Sequence, residues 1–260
     1  MIGSHAVLET ARDALFLASV PASRLPWMYI AIAVVSLLVT RVQAIASARI
    51  SSRTALSLWA WVAMAVTCAF WAALPHLGDA GLYALYIWSG VLTALVVVQF
   101  WTLMGDLFSV TQAKRLYGFV GAGSVLGAIL GSATAAALSR LGEPRLLVLA
   151  AGVGFAITGV IPILFSARGD AGSSLRDGAA SLTDNIRYVV RSPYAARVAG
   201  LLVLAAVAVT LADFLFKQSV AAHVAPGDLG EFFAAVYLVL NGASLVVQLF
   251  VVGFVLRRFD

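Results

Sequence analysis

Residues 198–217 read VAGLLVLAAVAVTLADFLFK, a run of twenty residues in which Asp213 and Lys217 are the only charged side chains. An α-helix needs roughly 20 apolar residues to cross the hydrocarbon core of a bilayer, so the run has the right length to span it. It lacks the alternation of apolar and polar residues that is typical of a membrane β-strand. The stretch therefore predicts a membrane-spanning helix with two opposite charges near one end.

Six more segments share this character, and they lie at 26–44, 54–75, 80–105, 117–138, 146–166 and 231–256. Hydrophobic residues make up 62% of the 260-residue chain and charged residues only 11%, against about 25% charged residues in a soluble domain. Cys68 is the only cysteine, which excludes an intrachain disulfide. We expect an all-α, multi-pass membrane protein with about seven full transmembrane helices, preceded by a short partial helix near 6–20.

Basic residues concentrate in every second link between the apolar segments, which is typical of loops on the cytoplasmic side. The long link 167–197 and the C-terminus belong to this basic set, whereas the links at 76–79 and 139–145 carry few basic residues. The pattern predicts a bacterial-type inner (plasma) membrane with those basic links in the cytoplasm. The net charge of +5 is thus explained by topology, and we expect lipid rather than nucleic acid as the partner of this surface.

The chain contains an internal repeat. Residues 12–20, RDALFLASV, match residues 212–220, ADFLFKQSV, at an offset of 200, and the register resumes at an offset of 208. The identical pairs include Asp13/Asp213, Phe16/Phe216, Ser19/Ser219, Tyr29/Tyr237, Ser36/Ser244 and Arg49/Arg257. Chance agreement between apolar helices is the alternative, but Asp, Tyr and Arg rarely coincide by chance. We therefore favour a duplication of the kind found in transporters.

The repeat divides the chain into three parts. A first six-helix unit at 1–166, with a truncated first helix, precedes a cytoplasmic linker at 167–197 and the first two helices of a second unit at 198–260. The apolar run before Asp213 has no full counterpart before Asp13. We therefore expect a fragment of a transporter of roughly 400 residues, whose partner is the missing second half or another copy of the chain.

Ionisable side chains inside apolar helices mark the candidate binding site, because burying an unpaired charge costs several kcal/mol. Glu9, Arg12 and Asp13 share one helical face, and Asp213 and Lys217 lie four residues apart on another. Asp13 and Asp213 are expected to face each other across a central cavity, where Arg12 and Lys217 would hold a phosphate or carboxylate. The alternative is two structural ion pairs, Glu9–Arg12 and Asp213–Lys217.

Three smaller groups complete the candidate residues. Asn241, a polar position inside a span, is expected to contact substrate or to form an interhelical hydrogen bond. Gly123, Gly127 and Gly131 recur every four residues, which favours close packing of another helix. A cytoplasmic gate or structural cluster is expected from Asp106, Lys114 and Arg115, together with the repeat-related Arg49 and Arg257.

Enzymatic activity is not expected, because His5, His76 and His223 are isolated in the sequence and form no known catalytic or zinc-binding motif. The same absence of motifs predicts no metal and no cofactor. A non-transporting remnant or accessory membrane subunit is the main alternative to a transporter. Charges at repeat-related positions argue against a purely structural role.

Residues 99–132, QFWTLMGDLFSVTQAKRLYGFVGAGSVLGAILGS, resemble the ATP/ADP translocase-like (nucleotide transporter) branch of the major facilitator superfamily. The segments 11–30 and 191–220 are similar to the same group. The resemblance implies a major-facilitator-like bundle of twelve helices, alternating access, and exchange of nucleotides. It makes Arg12 and Lys217 candidates for holding phosphates. Other organic anions, and proton-coupled transport of another solute, stay open.

Overall fold

The computed structural model describes residues 1–47, 50–107, 110–164, 187 and 189–252, except the side chains of 107, 110–120, 163, 249 and 251–252. All regular secondary structure in this part of the chain is helical. A 3-10 turn at Ala22–Arg24 joins the first two helices, and a π-helical turn at Val247–Val252 follows the last. The helices are α1 Ile2–Ser19, α2 Leu25–Ser47, α3 Ser52–Leu107, α4 Val110–Ser139, α5 Pro144–Leu164, α6 Pro193–His223 and α7 Leu229–Val246.

Six helices, α2 to α7, are long and apolar enough to cross a membrane. Their composition and length agree with the all-α, multi-pass membrane protein that the sequence predicts. Helix α1, which carries Glu9, Arg12 and Asp13, is not among them. Its position inside the bundle, described below, explains why it is nevertheless part of the core.

Helix α3 contains two of the predicted apolar segments. As a straight rod its 56 residues would measure about 84 Å, far more than a bilayer core of about 30 Å. Gly78 interrupts it with a φ of 53° and a ψ of −144°, a conformation that favours glycine. Ser52 donates a hydrogen bond to Asp106, and Trp88 Nε1 donates one to Thr67 Oγ1 at 3.2 Å. The arms 52–77 and 79–107 therefore form a hairpin, and each arm contains one of the two predicted segments.

Helix α1 lies in the centre of the first unit, in contact with α3, α4, α5 and α7. Its Leu8 and Ala11 are fully buried in a core that includes Leu95 of α3 and Leu147 and Phe155 of α5. Burial on several sides explains why a helix that carries three charged residues remains a stable element of the core, because packing supplies most helix stability.

Helix α4 approaches α1 at two of the three glycines in its predicted packing stripe. A side chain at Gly127 or Gly131 would contact the backbone of Gly3. At Gly123 an added Cβ would meet nothing within 4 Å. The close contact therefore involves Gly127 and Gly131, and the stripe is shorter than the sequence predicts.

Helices α6 and α7, from the second unit, pack on the first unit through an aromatic cluster. Phe16 of α1 and Tyr86 of α3 are buried in it with Leu229 and Phe233 of α7. Before this contact, residues 201–212 of α6 are exposed along their whole length. Because this surface is almost wholly apolar, it suits the hydrocarbon of a bilayer.

Helix α6 begins inside the predicted linker 167–197. Ser192 caps it by accepting a hydrogen bond from the Ala195 N–H at 3.4 Å, and Pro193 takes the first helical position. Both residues are favoured at a helix start, because the first N–H groups have no partner within the helix. Residues 165–186 and 188, which hold most of the surface helix predicted near 179–191, lie outside the described residues.

Candidate functional site

Five charged side chains meet where the two units pack together. Two are on α6, with Lys217 only 2% exposed, and three are on α1, with Asp13 fully buried. Their presence follows from the chain itself, since the i, i+3 and i+4 spacings put charges of one helix on one face. We name these residues the charge cluster, which consists of Glu9, Arg12, Asp13, Asp213 and Lys217.

Asp13 is the centre of the charge cluster. Its Oδ1 accepts from Arg12 Nε at 3.0 Å and lies 3.2 Å from Lys217 Nζ. Its Oδ2 accepts from Arg12 Nη2 at 3.1 Å and from the Tyr237 hydroxyl at 2.5 Å. Four polar contacts satisfy a carboxylate that no water reaches, which is what a buried charge requires.

Lys217 bridges the two aspartates. Its Nζ lies 3.0 Å from Asp213 Oδ2 and donates to the Tyr86 hydroxyl at 3.2 Å. The Tyr86 ring also lies 4.5 Å from the guanidinium of Arg12, a cation–π contact. Phe16 packs on this ring at 4.7 Å and so helps to hold it between the two cations.

Two tyrosines connect the units reciprocally. Tyr29 of the first unit donates to Asp213 Oδ2 of the second at 2.7 Å, and Tyr237 of the second donates to Asp13 of the first. Tyr29 and Tyr237 are equivalent in the repeat, as are the two aspartates. Exchange of equivalent partners is the arrangement that a pseudo-two-fold axis produces, and it supports duplication over chance agreement.

Both alternatives drawn from the sequence find support in this geometry. The ion pairs Glu9–Arg12, at 3.2 Å, and Asp213–Lys217 are present. Asp13 lies between them and joins the two pairs into one network. Because Arg12, Asp13 and Lys217 are buried, an anion reaches the cations only if the two units move apart or a carboxylate withdraws.

The charge cluster carries an excess of negative charge. Three carboxylates face two cations, so the formal sum is −1 when all five groups are ionised. Glu9 and Asp213, with side chains 36% and 37% exposed, are the two members in partial contact with the surroundings. Partial exposure lowers the cost of their charge, and it makes them the members that can exchange partners.

Asn241 lies apart from the charge cluster. Its Nδ2 donates to Ser132 Oγ of α4 at 2.9 Å. This contact is the interhelical hydrogen bond that the sequence offered as one of two roles. It fastens α7 of the second unit to α4 of the first.

The gate residues are described only in part. Asp106 accepts the hydrogen bond from Ser52 and so closes the open end of the α3 hairpin. The remaining members fall outside the described side chains or residues, and these are Lys114, Arg115, Arg49 and Arg257.

Three site residues, Tyr29, Tyr86 and Tyr237, were not predicted from the sequence. Tyr29 and Tyr237 carried a signal, because they matched in the repeat and a tyrosine hydroxyl in an apolar helix needs a polar partner. Tyr86 carried no such signal. Only the packing of α3 against α1 and α6 shows that its ring lies beside both cations.

No protein-family model, curated protein or solved structure matches this chain.

Proposed function

We propose that this membrane protein is a secondary transporter of the major-facilitator type, in which the two units move about the charge cluster. The observation that supports this most directly is the reciprocal pairing of Tyr29 with Asp213 and Tyr237 with Asp13. Inverted or parallel repeats that meet at a central polar site are the usual construction of such transporters. Ionisable groups in apolar helices are by default functional rather than structural.

The charge cluster suits alternating access because its contacts cross between the units. Lys217 binds Asp13 and Asp213 at once, so separation of the units leaves at least one carboxylate without its cation. A solute that replaces the lost partner removes that penalty. Binding and movement are thereby coupled, since a ligand shifts a conformational equilibrium only through its different affinity for the two states.

An organic anion is the solute that this chemistry favours. Arg12 and Lys217 offer two fixed positive charges, and guanidinium binds phosphate or carboxylate through two parallel hydrogen bonds. Glu9 and Asp213 are the partly exposed groups that an incoming anion would displace. A nucleotide is our leading substrate, on the strength of the resemblance of residues 99–132 to nucleotide transporters.

Uptake by reconstituted protein tests this proposal. The purified chain in proteoliposomes preloaded with ADP is expected to take up labelled ATP, and K217Q is expected to abolish that uptake. R140Q is the matched control, because Arg140 forms only an exposed pair with Glu231 at 3.8 Å. K217R, which keeps the charge, is expected to retain part of the activity. Uptake that is unaffected by K217Q would refute the role of the charge cluster.

Other anions separate the substrate from the mechanism. Suppose that ATP is not taken up, but that a dicarboxylate or inorganic phosphate is, and that K217Q abolishes this uptake. The result would contradict the nucleotide as substrate and support the charge cluster as an anion site. If none of these anions is taken up, the chain acts as an accessory or scaffold subunit under these conditions, contrary to our proposal.

A further inference from the structure

His5 is not isolated in the folded protein. It lies on α1 one turn before Glu9, and therefore on the face that carries the charge cluster. Its Nε2 lies 3.1 Å from the Ser89 carbonyl oxygen and 2.7 Å from Thr93 Oγ1, both on the second arm of α3. These contacts join residues that are 84 and 88 positions apart, so no local pattern of residues indicates them.

The hydrogen bonds of His5 fix its neutral tautomer. A carbonyl oxygen only accepts hydrogen bonds, so Nε2 carries the proton that it donates to Ser89. Thr93 Oγ1 donates its own proton to the same carbonyl at 3.2 Å, so towards the ring it accepts, and the Nε2 proton is shared between the two oxygens. Nδ1 is therefore the basic nitrogen, and no described residue provides a hydrogen-bond partner for it.

A cavity gives this imidazole a route for protons. His5 lines a space of about 260 Å³ between α1, α3 and α4, together with Thr93, Phe100, Trp101 and Ser124. Most of the lining is apolar, so the polar partners that a buried water needs come from the His5 ring and the Thr93 and Ser124 hydroxyls. Water held there would give a proton a path to the ring that does not pass through the charge cluster.

Burial of the His5 ring is the largest influence on its charge and opposes an additional proton, as does Arg12. The carboxylates of Glu9 and Asp13 on the same helix favour that proton. Within the described side chains, the neighbouring positions of α3 and α4 contribute neutral hydroxyls, and α5 and α7 add no charge there. The charge cluster sums to −1, and an imidazolium at His5 brings the set of six groups to zero. In a low-dielectric bundle a neutral set is strongly favoured over a charged one.

We propose that His5 is a proton-binding site linked to the charge cluster through Glu9, and that the proton is the coupling ion of the transporter. The second part rests on the transport function proposed above. A proton from the cavity binds Nδ1 and forms an imidazolium. Glu9 then has a second cation one turn away and competes less for Arg12, whose Nη2 lies 3.2 Å from Glu9 Oε1. The freed edge of the guanidinium binds the anionic solute, so proton and anion enter together.

The fluorescence of Trp101 tests protonation without any substrate. Trp101 lines the same cavity as His5, and imidazolium quenches indole emission. The difference in emission between wild type and W101F is expected to fall as the pH is lowered and His5 takes up a proton. H5Q is expected to abolish this change. H223Q is the control, because the exposed His223 binds only the Ser219 carbonyl of its own helix.

Proteoliposomes test coupling. An inward-directed proton gradient is expected to accelerate ATP uptake by wild type and H223Q, and an ionophore that collapses the gradient should remove the acceleration. In H5Q, uptake with the gradient is expected to equal uptake without it. A normal acceleration in H5Q, or a Trp101 titration that H5Q leaves intact, would overturn the assignment to His5.

The two measurements fail separately. If no anion is transported but H5Q removes the pH dependence of Trp101 emission, the result supports the proton site at His5 and contradicts the proposed transport function. If transport occurs and depends on Lys217 but ignores both the gradient and His5, the transport function stands and the coupling ion is not the proton bound at His5.

Discussion

At the scale of single residues, Lys217 holds the site together. It is the only cation of the charge cluster that contacts an aspartate from each unit, and it is almost fully buried. Removing one partner of a buried ionic network is far more damaging than replacing the whole network with apolar groups, because the remaining charge has neither water nor counter-ion.

Replacement of Lys217 by methionine therefore predicts a large loss of stability. K217M keeps the length and apolar stem but leaves Asp13 and Asp213 without their shared cation, so the free energy of unfolding should fall by about 3–5 kcal/mol. Unfolding in mild detergent, followed by circular dichroism, measures it. R140Q should change it by less than about 0.5 kcal/mol, as surface substitutions do. A K217M protein as stable as R140Q would show that the cluster is solvated.

The two reciprocal tyrosines should differ in their contribution to stability. Tyr237 binds the fully buried Asp13, so Y237F removes a hydrogen bond to a charged group that is worth about 1.5–3 kcal/mol. Tyr29 donates to Asp213, which is partly exposed, so in Y29F a water molecule can take the place of the Tyr29 hydroxyl. Y29F should therefore cost less than Y237F in the same unfolding measurement. The reverse order would mean that Asp213 is the better shielded carboxylate.

At the scale of elements, the break in α3 determines how the first unit packs. The two arms run side by side only because the chain reverses at Gly78, and the second arm then carries Tyr86 to the charge cluster and Thr93 to His5. Pro75 weakens the helix just before the break by removing a backbone donor. A local feature of one glycine thus places side chains of two separate sites.

Two glycine-to-alanine changes on α3 should have opposite signs. G78A forces an L residue to a φ of 53° and should destabilise by about 1–3 kcal/mol, although an added Cβ there meets no neighbour. G105A lies in regular helix with open space for Cβ and should stabilise by about 0.5–1 kcal/mol. Thermal unfolding of both variants compares them directly. Equal effects would indicate that α3 does not reverse at Gly78.

At the scale of the whole molecule, the protein is a bundle whose exposed helix surfaces are largely apolar and whose buried charges, among the described residues, lie at the contact between the two units. This distribution is the inverse of a soluble protein and matches a bilayer as solvent. The repeat then places equivalent helices, α1 with α6 and α2 with α7, around the charge cluster. The positions of Lys and Arg in the sequence predict the orientation of this bundle in the membrane.

Labelling of single cysteines tests this orientation. The chain offers a simple background, because C68A removes its only thiol. L141C, in the link between α4 and α5, is expected to react with a membrane-impermeant maleimide in intact cells. S51C, in the link between α2 and α3, is expected to react only after permeabilisation. Both positions are exposed, so the opposite pattern would mean that the bundle is inserted the other way round.

The amino-acid sequence by itself determined the all-helical character and the approximate helix positions, because hydrophobicity and helix length are properties of continuous segments. The repeat stays a prediction from the sequence. The sequence also identified Asp13, Asp213, Arg12 and Lys217, since a charge in an apolar run is visible without any partner. Only the tertiary structure decided which groups meet. Tyr29 and Asp213 are 184 residues apart, and Tyr237 and Asp13 are 224 apart. Contacts between helices so far apart in the sequence depend on which helix faces pack together, and no local pattern of residues specifies that.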